Sequence, residues 1–262
     1  MLTKSKQRQL FGSLKDYHRQ YLKKLNSELD ESGTRLMVNS FLTDVLGFAL
    51  IEEVKTEYMI KGTYADYVIQ LKGVRHFLVE VKALGINLSE KHLRQAINYG
   101  ANEGIEWALL TNGKQFDFYK ILFEKPISER KVFSVDLSDA LKLKESVEAI
   151  HYLHKLSIIG KGLDLLWAKC VALDPKNVAG LLHNKPVLSF LKRALKKKFK
   201  HKFTDEEICH SLDRIIYEAI QLDDIKQVTV RKRKNNSSGS DNVAAKIDTQ
   251  DEMVTDSNAS AS

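Results

Sequence analysis

Two short apolar stretches carry side chains whose types and spacing suit phosphodiester chemistry. In His76-Phe77-Leu78-Val79-Glu80-Val81-Lys82 the alternation of a β-strand places Glu80 and Lys82 on one face and Phe77, Val79 and Val81 on the other. An acid and a base at the end of an apolar strand must find partners, because burying either alone is costly. Tyr64-Ala65-Asp66-Tyr67-Val68-Ile69 offers one, since Asp66 is a lone acid among apolar neighbours. Two carboxylates, Asp66 and Glu80, with a main-chain carbonyl such as that of Val81 form a hard oxygen set for Mg²⁺ (or Mn²⁺) that leaves positions for water and phosphate. A metal held there polarises the phosphoryl group and lowers the pKa of bound water. Lys82 would orient that water or stabilise the charge of the transition state. The alternative is an ordinary exposed ion pair between Glu80 and Lys82.

Such a site requires Asp66 and Glu80 to share one face of an antiparallel hairpin. Direct pairing of the two centres the hairpin on Gly73, with Leu71 opposite Arg75 across a three-residue loop, Lys72-Gly73-Val74. Glycine takes the left-handed conformation that such loops require. A two-residue loop would instead set Asp66 opposite Val79 and turn Glu80 to the opposite face.

The surrounding pattern supplies the scaffold. Leu10, Leu14, Tyr17, Tyr21 and Leu25 fit one face of a first helix. A second begins near Glu31 and is stopped by Gly47; Glu31, Arg35, Val38, Leu42 and Val45 form one stripe. Glu31 therefore points with the core-facing side chains and is a candidate further oxygen ligand, although a surface pair with Arg35 is the commoner outcome of this spacing. Strands are predicted at 54–60, 64–71 and 75–81, then a helix at 89–102, and strands at 107–111, 115–121 and 131–135. Asn112-Gly113 makes a hairpin turn between two of them. Trp107 reads as core, and His151 and His154 are a weak metal signal. The fold class is α/β, a mixed sheet flanked by helices and followed by an all-helical appendage. We place the domains at 1–136, a helical region at 137–230, and a polar, Ser/Asn/Asp-rich tail at 231–262 that should be disordered. Its RKRK start reads as a solvated tail or a targeting or nucleic-acid tract.

A net charge of +7 is compatible with a polyanionic partner, but the distribution is more telling. Lys185, Lys192, Arg193, Lys196, Lys197, Lys198, Lys200 and Lys202 fall in one stretch without an acid. There Leu188, Leu191, Leu195 and Phe199 should face a core while Lys192, Lys196 and Lys200 project outward as candidate DNA phosphate contacts. Cys170 and Cys209 alone imply no disulfide framework, and no apolar run is long enough to span a bilayer. A cytoplasmic location is expected.

Taken in order, Glu31-Ser-Gly-Thr-Arg35, Leu46-Gly47-Phe48, Ala65-Asp66-Tyr67, Val79-Glu80-Val81-Lys82-Ala83, Gln95-Ala-Ile-Asn-Tyr99 and Trp107-Ala-Leu-Leu-Thr-Asn-Gly113 resemble a known family. This is the N-terminal nuclease domain of type I restriction-enzyme R subunits and the related predicted type IV restriction endonucleases, within the PD-(D/E)XK nucleases. The resemblance implies a restriction-endonuclease-like fold, Mg²⁺-dependent cleavage of DNA, catalytic roles for Asp66, Glu80 and Lys82, and a site lined by Glu31 and Gln95. It also implies partners: DNA, and other restriction or defence subunits. No P-loop motif of the R-subunit motor occurs in this sequence. Competing readings are a non-cleaving DNA-binding module, and a nuclease acting on RNA or on branched repair intermediates.

Overall fold

The computed structural model describes residues 1–23, 29–60 and 63–217, with the backbone alone for 57–60, 63–64, 95 and 217. Helix α1 (Lys4–Tyr17) is capped by Thr3, whose side chain accepts from the Lys6 amide, and buries Leu10, Leu14 and Tyr17. It runs on into a π-helical turn, His18–Leu22. Helix α2 (Glu31–Ser40) starts at Asp30, whose carboxylate accepts from the Gly33 amide at 2.7 Å. A second π-helical turn, Phe41–Val45, follows it, and Gly47 then takes φ +78°, the left-handed exit expected just past a helix. A short helix α3 (Leu50–Glu53) leads into the sheet.

Six strands follow: β1 (Val54–Ile60), β2 (Thr63–Leu71), β3 (Val74–Val81), β4 (Trp107–Thr111), β5 (Gln115–Leu122) and β6 (Ser128–Asp136). They lie in sequence order, β3 and β4 parallel and all other neighbours antiparallel. The one parallel pair needs a crossover. Helix α4 (Arg94–Glu103), entered by a 3-10 turn at Glu90–Leu93, provides it. The fold is thus the mixed α/β sheet flanked by helices that the pattern predicts.

Strand alternation sorts the side chains into two cores. Tyr67, Ile69, Phe77, Val79, Val81, Trp107, Leu109, Phe116 and Phe118 pack with α1 and α2. Val68, Leu78, Ala108, Leu110 and Tyr119 pack with Leu93, Ala96 and Tyr99 of the crossover. Trp107 is core, stacked on Phe118 at 5.0 Å.

The β2–β3 hairpin corrects one expectation. Its loop has two residues, Lys72 and Gly73, with Leu71 opposite Val74 and Gln70 opposite Arg75. Both loop residues have positive φ, 51° and 81°, the requirement of a type I′ turn. The register then shifts, so that Ile69 faces Phe77 and His76 is left as the extra residue of a β-bulge. Beyond the bulge Val68 faces Leu78 and Tyr67 faces Val79. Continued by one residue, that register sets Asp66 opposite Glu80. The loop is shorter than expected, and the bulge compensates for it.

After β6 the described chain is helical: α5 (Leu143–Ile150), α6 (Lys155–Ile159), α7 (Gly162–Ala172), α8 (Pro175–Leu182), α9 (Lys185–Phe199) and α10 (Asp205–Tyr217). Leu143, Val147 and Ile150 join the larger core, whereas Leu188, Ile208 and Leu212 form a small separate one. Thr204 and Glu207 exchange the two hydrogen bonds of a capping box at the start of α10. Of the apolar stripe expected on α9, Leu188 is buried and Leu191 and Leu195 pack against it. Phe199, in contrast, is exposed at the C-terminal end of α9. Met1 to Asp213 form one compact unit, and a second begins at Arg214. The tail expected at 231–262, with its RKRK start, and Leu25 lie outside the described residues. Among those described, no helix is long and apolar enough to cross a membrane, and Cys170 and Cys209 are free thiols.

Candidate active site

Four of the residues singled out in the sequence meet where α2 approaches the ends of β2 and β3. Glu80 is 5% exposed and hydrogen-bonded to Lys82 Nζ at 2.5 Å. That burial rules out the exposed strand-end pair. Lys82 is also 3.8 Å from Glu31. Asp66 accepts the Val81 amide at 2.7 Å on one oxygen and the Arg35 guanidinium on the other. Arg35 in turn holds Glu31 at 2.9 Å, one helical turn away. Three carboxylates and two cations thus form one chain of contacts, Lys82 touching Glu80 and Glu31, and Arg35 touching Glu31 and Asp66.

The electrostatics of this cluster are uneven. Burial pushes the Glu80 carboxyl up to about 7; Asp66 and Glu31 add to the rise and Lys82 opposes it. For Lys82, burial pulls downward, but the hydrogen bond and charge of Glu80 outweigh it and the ammonium is held above its ordinary range. Arg35 is likewise raised, the charges of Asp66 and Glu31 outweighing its burial. Glu80 is therefore poised to change protonation near neutrality while both cations stay charged.

Among the described residues, no three His, Cys, Asp or Glu side chains gather in an arrangement that could hold a metal ion. Asp66 and Glu80 are a pair, and Mg²⁺ is commonly held by only one or two carboxylates, with water and other oxygens completing the shell. The hard oxygen donors of the pair suit such an ion. Burial first, and the Asp66 and Glu31 carboxylates after it, raise Glu80, and a bound cation would oppose that rise.

Other expectations fall elsewhere. Gln95 belongs to α4, but its side chain lies outside the described residues. His151 is buried against the Val147 carbonyl, and His154 caps α6 by accepting the Leu156 amide, so each has a structural role. Lys196 on α9 and Lys200 at its C-cap are exposed, whereas Lys192 reaches across to Asp205 at 2.5 Å and is only half-exposed. The acid that engages it lies beyond the basic stretch, at the start of the next helix. Sequence reasoning also missed Arg35 as the partner of Asp66. The signal was present: Arg35 shares the Glu31 stripe, and a lone strand acid needs a cation.

Residues 30–129 match a known family. It is the type I restriction enzyme R protein N terminus (HSDR_N). The match spans somewhat under half the chain and contains Glu31, Arg35, Asp66, Glu80, Lys82 and Gln95. No curated protein and no solved structure matches the chain. The HSDR_N match suggests a restriction role and nuclease activity for this segment.

Proposed function

We propose that this chain is a metal-dependent endodeoxyribonuclease of the PD-(D/E)XK type that hydrolyses DNA phosphodiester bonds in restriction of foreign DNA. The observation that carries the reading is the buried Glu80–Lys82 pair set beside Asp66 within the segment matched by the restriction-enzyme family. Asp66, Glu80 and the Val81 main-chain oxygen would hold Mg²⁺ or Mn²⁺, which when bound supplies Lewis-acid polarisation of the phosphoryl group and a more acidic water. Lys82 keeps its charge and has three donors, so it can stay on Glu80 and still give a hydrogen bond to the attacking water or a phosphate oxygen. Arg35 is a positioning residue that fixes the Asp66 carboxylate from α2. Glu31 ties Arg35 and Lys82 into one unit, and Gln95 is assigned to the lining by resemblance alone. Water oxygen bonds to phosphorus and gives up a proton as the P–O ester bond breaks, and the leaving oxygen takes up a proton.

DNA is the proposed substrate, and other restriction or defence subunits are proposed partners because the matched family is named for one protein of a type I restriction enzyme. Purified full chain incubated with unmodified and modified duplex DNA should cut with Mg²⁺ and not with EDTA. Binding without cutting under every metal tried would make it a non-cleaving module. Cleavage of RNA or branched substrates alone would move it to another substrate class.

A further inference from the structure

The basic stretch after Lys185 is a motif that the active site does not use. In the structure its cations divide. Lys192 is paired with Asp205, but Arg193, Lys196, Lys197 and Lys200 line one open depression on the surface of α9 and its C-terminal cap. Their spacing, i, i+3, i+4 and i+7, puts all four on one helical face. Among the described residues none of them is in an ion pair with an acid.

Two features show that this face is held against its own preferences. Like charges three and four residues apart repel, which destabilises a helix by about 0.2–0.5 kcal/mol per pair. Lys200 moreover adopts φ 58°, a left-handed conformation that a side chain takes at a cost, where glycine is usual. The helix dipole favours cations in the last turn, which accounts for some of the lysines there but not for Arg193, nearly two turns earlier. The opposite side of α9 packs through Leu188, Leu191 and Leu195 on α10, so the helix is anchored by its apolar side and its charged side faces away from that core.

We infer that the Arg193–Lys196–Lys197–Lys200 face is a docking surface for the phosphate backbone of duplex DNA, separate from the catalytic cluster. It rests on the nuclease reading only for the identity of the polyanion. At 1.5 Å per residue the four cations span about 10 Å, and at a phosphate every ~3.4 Å along one strand that covers about three phosphates. A row of cations along one helix face and its cap can follow the regular backbone of a duplex. Contacts of this kind carry no sequence information, so the face holds and orients any duplex.

The test is the salt dependence of DNA binding by the full chain in EDTA, where no cleavage interferes. The variant Arg193→Gln/Lys196→Gln/Lys197→Gln/Lys200→Gln should lower the slope of log K against log salt by about 3. A control removes the same charge at four exposed cations elsewhere, Lys4→Gln/Lys6→Gln/Arg8→Gln/Lys144→Gln; its slope should change by less than about 1. Circular dichroism checks that both variants fold. Equal slopes for the two variants, or no change from the α9 variant, would overturn the inference and leave the nuclease reading intact. Binding of wild type to phosphatidylserine vesicles, lost in the α9 variant while its DNA slope is unchanged, would also overturn it in favour of a membrane surface. An α9-dependent slope in a protein that never cuts would support the inference and sink the nuclease reading.

Discussion

The same face of the sheet holds two buried carboxylates beside lysines, and they behave in opposite ways. Glu80 on β3 stands opposite Leu110 on β4, which stands opposite Asp117 on β5, which faces Ser134 on β6. With strands about 4.8 Å apart, the two acids are roughly 10 Å from each other in one row. Asp117 is 1% exposed and accepts from Lys131 at 2.8 Å, Ser134 at 2.6 Å and Gln115 at 3.0 Å. Burial alone would raise it, but those donors outweigh burial and hold its carboxyl below the usual range. Glu80 has Lys82 and two other carboxylates for neighbours, and burial prevails. A structural acid is saturated with donors. A candidate catalytic one is left short of them, with capacity for a further cation or proton.

The largest expected effect separates the two acids by activity. Asp66→Ala, Glu80→Ala and Lys82→Ala should each reduce metal-dependent cleavage by on the order of a hundred- to ten-thousandfold, the scale of losing a group that handles the proton or the charge. DNA binding in EDTA should survive. Asp117→Asn should cut at close to the wild-type rate. If Glu80→Ala cut well, or Asp117→Asn abolished cutting, the functional and structural assignments would have to be exchanged.

Stability should rank them the other way. Asp117→Ala strands Lys131, Ser134 and Gln115 and should cost about 2 kcal/mol in urea unfolding, the penalty of unmaking a buried hydrogen-bonded group. Glu80→Gln removes a charge that burial penalises and should leave stability unchanged or raise it. A loss for Glu80→Gln as large as for Asp117→Ala would mean that Glu80 is part of the scaffold.

The pH dependences of the two acids have opposite signs. Asp117 has a depressed folded pKa, so its contribution is present above the unfolded value of about 3.9 and is lost as pH falls through the folded one. Glu80 has a folded pKa of about 7, above its unfolded value, so between those two the folded state binds the extra proton. Its contribution therefore falls as pH rises toward and past 7. The urea midpoint of wild type relative to Glu80→Gln should decline from pH 5 to pH 8, and Mg²⁺ should lessen the decline. A flat difference would show that Glu80 ionises normally.

Much of this was legible before any coordinates. Strand positions, the core face and the common side of Glu80 and Lys82 follow from alternation, because a period of two fixes which side chains of one strand share a face. The pairing of Asp66 with Glu80 was expected from a three-residue loop and arises instead from a two-residue loop followed by a bulge. Three things were not legible. Phe116-Asp117-Phe118 looks in sequence like Ala65-Asp66-Tyr67, a lone acid between apolar residues. The donors that make Asp117 structural come from β6 as well as from its own strand, and only the fold brings them there. Arg35 reaches Asp66 across elements 31 residues apart for the same reason. The bulge at His76 was hidden as well, since a one-residue shift in a ladder leaves no compositional trace.

That bulge allows the smallest prediction, which concerns the turns at the two ends of the comparison. The β4–β5 turn uses Asn112 and Gly113, with the Asn112 side chain accepting the Gln115 amide at 2.8 Å and Gly113 at φ 81°. The β2–β3 turn near the candidate site has Lys72 at φ 51° where asparagine would be at ease. Replacing it costs no contact with the cluster, because the register reaching Asp66 and Glu80 is restored beyond the loop, at His76. Lys72→Asn should therefore stabilise the protein by up to about 1 kcal/mol in urea unfolding and leave cleavage unchanged. If cleavage fell together with a gain in stability, the loop would be setting the register of the two carboxylates. The bulge would then be a consequence of the turn rather than the element that corrects it.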